Sequence, residues 1–94
     1  MDELLPIGTI IKTKDRDIVL FMLIGYYPQI QENEKIFDYL AVLYPYGIDN
    51  DESFYTINSE QITEVVYAGY TDEESEELRR YLPIIIGAEY EAAD

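Results

Sequence analysis

The sequence predicts an α+β domain: a small, strongly bent antiparallel sheet or partial barrel of about five strands, with a C-terminal amphipathic helix packed on one opening. Three observations predict this class. The 94 residues suffice for one small core; the apolar residues fall mostly in short extended runs between polar turns; and one capped helical segment follows the last run. We therefore place a single domain at 1–94, with its core at about 4–86 and an acidic tail at 87–94.

The first two runs predict a hairpin. Residues 9–13 are mostly β-branched and predict the first strand, and the polar residues 14–17 form the turn. Residues 18–27 predict the second strand, which is apolar at nearly every position. We therefore expect the second strand at the centre of the sheet, with both of its faces covered.

The middle of the chain predicts two more strands around a sharp reversal. After a polar loop at 28–34, residues 36–44 predict the third strand. This strand ends at Pro45-Tyr46-Gly47, where proline fixes φ and glycine can take a positive φ, so the chain turns back. Beyond the acidic loop 49–52, the alternating residues 53–57 predict a fourth, shorter strand.

A helical turn, a fifth strand and a helix complete the domain. Residues 58–61 begin with asparagine and end with glutamine, which predicts a short capped helical turn, and residues 64–68 predict the fifth strand. Thr71 is the expected N-cap of the helix, with Glu74 at the third helical position. Because proline disfavours helical geometry in the residue before it, we expect Pro83 to end the helix at about Leu82. The apolar face of this helix is predicted at Leu78, Tyr81 and Leu82.

Charge excludes two classes of ligand. The chain carries 20 acidic and 6 basic residues, for a net charge of −14 and a pI near 4.1. Nucleic acids and anionic membranes are bound through Lys and Arg, so we exclude both as direct ligands. The acidic start of the chain is unlike a signal peptide, and the longest apolar run, 18–25, is shorter than the ~20 residues that span a bilayer. We expect a soluble, cytoplasmic protein.

The residue types needed for most catalysis and cofactor binding are missing. The chain has no His and no Cys, which removes imidazole bases, thiol nucleophiles, and zinc sites made of these residues. Asp49-Asn50-Asp51 resembles the start of a calcium loop, but the sixth position is Phe54 where that loop requires glycine. The glycines are isolated, so no phosphate-binding loop is formed. We expect a protein that is not an enzyme and that has no cofactor.

Acidic residues are concentrated in one part of the sequence. Residues 36–78 contain 11 acidic residues and no basic one, whereas Lys12, Lys14 and Arg16 cluster near the first hairpin. Such a surface attracts a basic partner, because complementary charge raises the association rate. The same charge also keeps a small domain soluble and monomeric, so both interpretations stand.

Tyrosines near strand ends and turns are the second candidate feature. Tyrosine has a large apolar body with a polar tip and is enriched at protein interfaces. Several of the ten tyrosines must instead fill the small core, since this residue type is intermediate in burial. Five of them are predicted to lie around the acidic loop: Tyr44, Tyr46, Tyr55, Tyr67 and Tyr70. The candidate partner-binding residues are Tyr44, Tyr46, Asp49, Asp51, Glu52, Tyr55 and Tyr70.

The run Ile84-Ile85-Ile86 follows the expected end of the helix. Exposed apolar patches are rare on monomers, so we expect this run to fold back against the sheet. The alternative is an adhesive segment that adds to a strand or forms a dimer.

Four blocks of the sequence carry a family resemblance: residues 5–11, Ile24-Gly25, residues 37–47 and residues 62–70, followed by acidic residues. In this order they resemble a family of small acidic proteins of unknown function that are encoded beside type VII secretion genes and LXG-type toxins of Gram-positive bacteria. The resemblance covers roughly residues 4–82. It implies a cytoplasmic accessory protein that binds a toxin or secreted substrate before export, as a chaperone or adaptor, and it brings no catalytic or binding residues.

The sequence therefore favours a non-enzymatic binding protein whose partner is a toxin or secreted protein. Two alternatives remain: an immunity protein that inhibits a toxin, and a self-associating structural module that uses residues 84–86. We expect a monomer or a weak homodimer.

Overall fold

A computed structural model describes residues 3–29 and 35–87 in full, and the backbone of Ile30 and of residues 88–91. Its strands are β1 (Ile10–Thr13), β2 (Leu20–Tyr26), β3 (Gln29–Ile30), β4 (Lys35–Ile36), β5 (Tyr39–Tyr44), β6 (Tyr55–Ile57) and β7 (Ile62–Tyr67). A 3-10 turn, Ser59–Gln61, precedes β7, and helix α1 spans Glu73–Glu91. Five strands form one antiparallel sheet in the order β6-β5-β2-β1-β7, while β3 and β4 pair separately. This confirms the α+β class.

Strand β2 occupies the centre of the sheet, as predicted, between β1 and β5. The strand begins at Leu20 because Ile18 lies in the preceding turn, which is closed by a 3.3 Å hydrogen bond from Val19 N to Arg16 O. Phe21 and Leu23 are buried on one face. The side chains of the other face are only half-buried: Leu20, Met22 and Ile24. The prediction that both faces are covered is therefore correct for one face and only partly correct for the other.

The remaining predicted strands exist with shifted bounds. The loop predicted at 28–34 contributes β3, and residues 31–34 lie outside the described residues. The third strand of the main sheet begins at Tyr39, which pairs with Tyr26 on one side and Ile57 on the other. Strand bounds depend on such partners, which the sequence pattern does not specify. The predicted helical turn is confirmed at 59–61.

The sheet is strongly bent. Strands β6 and β7 are its two edges, and a flat five-stranded sheet would hold them ~19 Å apart. Ile57 ends β6 and Ile62 starts β7, and a chain of five residue steps spans at most ~18 Å when fully extended. The connection contains a 3-10 turn, which shortens it further. The sheet must therefore curl until its edges approach, and register shifts in the β1–β7 and β2–β5 pairs permit the bend.

The core fills the inner face of this bent sheet. Its buried residues are Leu4, from the segment before β1, and alternate residues of the strands: Ile11, Phe21, Leu23, Tyr39, Ala41 and Ile57. Two tyrosine hydroxyls also fix the N-terminal segment, because Leu5 N donates to Tyr39 Oη at 3.0 Å and Tyr26 Oη donates to Leu5 O at 2.6 Å. The segment before β1 is thus part of the core.

Two predictions about the helix are wrong. The cap is Asp72 rather than Thr71, since Ser75 N donates to Asp72 Oδ1 at 2.9 Å and Asp72 N donates to Ser75 Oγ at 3.0 Å. The helix also passes through Pro83 and continues to Glu91. Proline removes one N–H donor, but the other hydrogen bonds of the helix on either side can still form.

The isoleucine run 84–86 is part of α1 rather than a separate segment after the helix. Ile84 and Ile85 are exposed, whereas Ile86 is half-buried. Within the part predicted as a tail, residues 87–91 continue the helix, and residues 92–94 lie outside the described residues.

Candidate protein-binding surfaces

The acidic loop predicted as a contact lies at the end of the β5–β6 hairpin. We call residues 44–54 the hairpin tip. Gly47 has φ of +73°, as predicted for the reversal, and its N–H donates to Leu43 O at 2.8 Å. Polar side chains hold the loop: Ser53 Oγ donates to Asp49 Oδ1 at 2.6 Å, and Glu52 N donates to Asn50 Oδ1 at 2.7 Å. The predicted contact residues exposed here are Tyr44, Tyr46, Asp49, Asp51 and Glu52.

Tyr55 anchors the hairpin tip to the rest of the sheet. Its ring meets the buried Phe21 edge-on, with 5.3 Å between the ring centroids. The Arg16 guanidinium lies over the same ring, 5.5 Å from its centroid. Tyr55 is consequently half-buried. Arg16, from the first hairpin, thus places a positive charge beside the hairpin tip, which has no basic residue of its own.

A small pocket of about 340 Å³ lies at the tip, lined by Leu43, Tyr46, Gly47, Asp49, Asn50, Glu52, Ser53 and Tyr55. Its aromatic and carboxylate side chains suit contact with a cationic or amphipathic group.

The structure does not bring Tyr67 and Tyr70 to the acidic loop. Tyr44 pairs with Leu20 where β5 ends, whereas Tyr67 pairs with Ile10 at the start of β1. These two positions are on strands that β2 and β1 separate. Of the seven candidate residues, six therefore lie at or beside the hairpin tip, and Tyr70 lies beside Ile7 of the segment before β1.

Tyr70 lines a larger groove beside α1, which we call the helix groove. It has a volume of about 700 Å³ and is lined by Ile7, Tyr70, Asp72, Glu74, Ser75, Glu77, Leu78 and Tyr81. Large apolar side chains remain accessible along it: Tyr70 is 79% exposed, Tyr81 61% and Leu78 50%. The groove thus combines an apolar surface with three carboxylates.

One wall of the helix groove is fixed by a close backbone approach. Gly69 N donates to the hydroxyl of Thr9, a fully buried side chain, at 3.0 Å. Gly69 lies so near the segment before β1 that a Cβ there would be 2.2 Å from Ile7 O. Only glycine permits this approach, which places Tyr70 beside Ile7.

The other wall is the outer side of α1. Among the side chains of α1 that the structure describes, the half-buried residues recur mainly at spacings of three and four: Ser75, Arg79, Leu82, Pro83, Ile86 and Gly87. Leu82 packs against the core cluster, and Arg79 donates to Ser75 Oγ at 3.1 Å and to Thr71 Oγ1 at 2.8 Å. A second apolar stripe borders this face and stays exposed: Leu78, Tyr81 and Ile85.

Two neighbouring tyrosines, Tyr26 and Tyr27, have shifted pKa values. Burial raises the pKa of Tyr26, and the neighbouring Arg79 partly opposes this. Burial also raises the pKa of Tyr27, with the charge of Asp38 acting in the same direction. Tyr27 has φ of +53°, and its buried hydroxyl has no hydrogen-bond partner. Burial is the main cause of both shifts.

The described residues hold no group of three or more acidic side chains placed to bind a metal ion. No helix among them is long and apolar enough to cross a membrane.

Sequence reasoning missed the helix groove because it assigned Leu78 and Tyr81 to the same apolar face as Leu82, whereas Leu82 packs on the core and the other two stay exposed. The recurrence of apolar residues at 78, 81 and 85 is a signal that could have found the outer stripe. The nearness of Ile7 and Tyr70 depends on contacts between distant parts of the chain, which the pattern does not show.

Comparison with known proteins adds one finding. Residues 4–78 match the model of the family described as domain of unknown function DUF4176. The matched segment covers the whole bent sheet and the first turns of α1. No curated protein and no solved structure matches the chain. The chain therefore belongs to the DUF4176 family.

Proposed function

We propose that this protein is a non-enzymatic, cytoplasmic binding module, a chaperone or adaptor that holds an LXG-type toxin before type VII secretion. The observation that carries the proposal is the coincidence of exposed aromatic side chains with carboxylates. At the hairpin tip, Tyr46 is 79% exposed beside Asp49 and Glu52. In the helix groove, Tyr70 is equally exposed beside Asp72.

This combination favours protein recognition. Tyrosine contributes apolar area at little entropic cost, and carboxylates around it select a basic surface and reject an acidic one. A net charge of −14 extends that selection over the molecule and accelerates encounter with a cationic partner. The family resemblance supplies the kind of partner, a toxin encoded by a neighbouring gene.

Co-expression tests the proposal directly. The protein and an LXG-type toxin encoded beside its gene are produced together, and a tag on the toxin is used for purification at low salt. We expect the two to co-purify and to separate as salt is raised, because screening weakens attraction between surface charges. Failure to co-purify at low salt contradicts the proposal.

Cell survival distinguishes a chaperone from an immunity protein. A chaperone or adaptor raises the yield and export of the toxin without protecting cells that express its toxic domain. Rescue of those cells assigns inhibition instead, which replaces the proposed role.

A further inference from the structure

We propose that the helix groove is a docking site for a basic amphipathic α-helix of another protein. The proposal rests on the proposed function only in taking this chain to be a binding module. It adds a second surface, distinct from the hairpin tip, and it names the chemistry of the occupant: an apolar stripe flanked by Lys or Arg.

The spacing along α1 suits a helical occupant. Glu74, Leu78, Tyr81 and Ile85 are separated by four, three and four residues, so they lie on one face of the helix. From the first to the last, this stripe is ~17 Å long, about three turns. Side chains in such rows form the ridges and grooves between which a second helix packs.

A strand is a poorer occupant than a helix at this site. Addition of a strand requires free backbone N–H and C=O groups along a sheet edge. The long wall of the helix groove is α1, whose backbone groups bond within the helix. The occupant must therefore be held by side chains, which an amphipathic helix supplies along one face.

Charge complementarity determines the flanks of the occupant. Asp72, Glu74 and Glu77 line the groove, and no residue that lines it is basic. Of the two cations of α1, Arg79 is on the half-buried face, where it bonds Thr71 and Ser75, and Arg80 is exposed but does not line the groove. An acidic helix would meet three carboxylates without compensation, whereas Lys or Arg on both sides of an apolar stripe would pair with them.

The walls are already formed for such an occupant. The approach of Gly69 to Ile7 fixes one wall, and the packing of Leu82 on the core fixes the other. Binding to rigid walls costs less ordering entropy than binding to a surface that must first form.

The test uses three labelled synthetic peptides of about 18 residues, or five turns. The first has leucines on one helical face with lysines on both flanks; the second is a scrambled version of the same composition; the third has glutamates in place of lysines. Binding to the full chain is measured by fluorescence anisotropy at low and high salt. We expect only the first to bind well, with at least about tenfold higher affinity than the scrambled peptide. Equal binding of the first two, or no binding of the first, overturns the proposal.

Two tyrosines of equal exposure provide the matched control. Tyr70 and Tyr46 are each 79% exposed, one in the helix groove and one at the hairpin tip. We expect Tyr70→Ala and Leu78→Ala each to weaken binding of the first peptide about tenfold or more, because aromatic and apolar anchors dominate interfaces. Tyr46→Ala should leave it unchanged. A loss with Tyr46→Ala alone places the peptide at the hairpin tip and overturns the proposal; circular dichroism verifies that each variant is folded.

Two further results separate this proposal from others. A mass of two chains by light scattering, reduced to one by Leu78→Asp, would make a second copy the occupant and overturn the proposal. A toxin that co-purifies and is insensitive to Tyr70→Ala and Leu78→Ala would leave the proposed function standing and remove the groove as its site. Peptide binding without toxin binding would leave the groove standing and remove the toxin.

Discussion

Replacement of Gly69 by alanine is expected to destabilise the fold severely. An added Cβ would lie 2.2 Å from Ile7 O, 2.9 Å from Thr9 N and 3.0 Å from Gly8 C, whereas ordinary contact begins at 3.4 Å. All three are backbone atoms, so the clash cannot be relieved by rotating a side chain. The two segments must separate by about 1.2 Å along the shortest of these contacts.

The expected loss of stability follows from the contacts that this separation breaks. Thr9 Oγ1 would lose the Gly69 N–H, and Gly8 N is held by Leu23 O at 2.8 Å, which resists movement of the segment. Overpacking and a broken buried hydrogen bond together amount to about 3–5 kcal/mol. In a chain of this size, a loss of that magnitude lowers Tm by about 12–40 °C. It is a large part of the free energy of unfolding of a small domain, which is about 5–15 kcal/mol.

Thermal and urea unfolding followed by circular dichroism measures this effect. Gly87→Ala is the matched control, since Gly87 is in α1 and an added Cβ there meets nothing within 4 Å. We expect the control to raise stability by about 0.5–1 kcal/mol, because alanine is the better helix former. A Gly69→Ala protein that melts within about 4 °C of the wild type would refute the close approach that builds the groove wall.

The remaining predictions concern buried tyrosines and the helix cap. Tyr39→Phe should cost about 1–3 kcal/mol, measured by urea unfolding, since it leaves the partly buried Leu5 N–H without its 3.0 Å acceptor; no loss would contradict that bond. Tyr27→Phe should be neutral or stabilising by up to about 1 kcal/mol, because the hydroxyl it removes is buried and unpaired, and a clear loss would contradict this. Burial raises the pKa of Tyr27, so the folded state keeps its proton longer than the unfolded state; stability falls as pH rises above about 10, and Tyr27→Phe should reduce that fall in alkaline titrations. Asp72→Ala should lower stability by about 1 kcal/mol and Asp72→Asn by less, because either Asp or Asn can cap α1; equal losses would argue against the cap.

The hairpins and the central strand could be predicted from the sequence because they depend on local patterns. Residues 18–27 are apolar at nearly every position, which indicates a central strand, and Pro45 with Gly47 indicates a reversal. The sequence also predicts a strongly bent sheet, but it does not show what imposes the bend. The short connection between the edge strands β6 and β7 can be recognised only once the strand order is known.

The helix shows where local rules were overridden. Pro83 predicts a stop, yet the apolar positions continue to Ile86, and Leu82 packs on the core. Tertiary packing of one face can outweigh the loss of a single hydrogen bond. The candidate site could be predicted only in part. The turn residues correctly predict an exposed hairpin tip. Tyr70 instead lines the helix groove, because Gly69 lies against Ile7, and this contact is not visible in the sequence.

The central claim is that this acidic protein binds a toxin partner through complementary charge. Its most direct test is the dissociation constant of the purified protein with a purified LXG-type toxin encoded beside its gene, measured by calorimetry over a series of salt concentrations. We expect a stoichiometric complex whose affinity falls steadily as salt rises. Absence of binding at low salt, or an affinity that salt does not change, would contradict it.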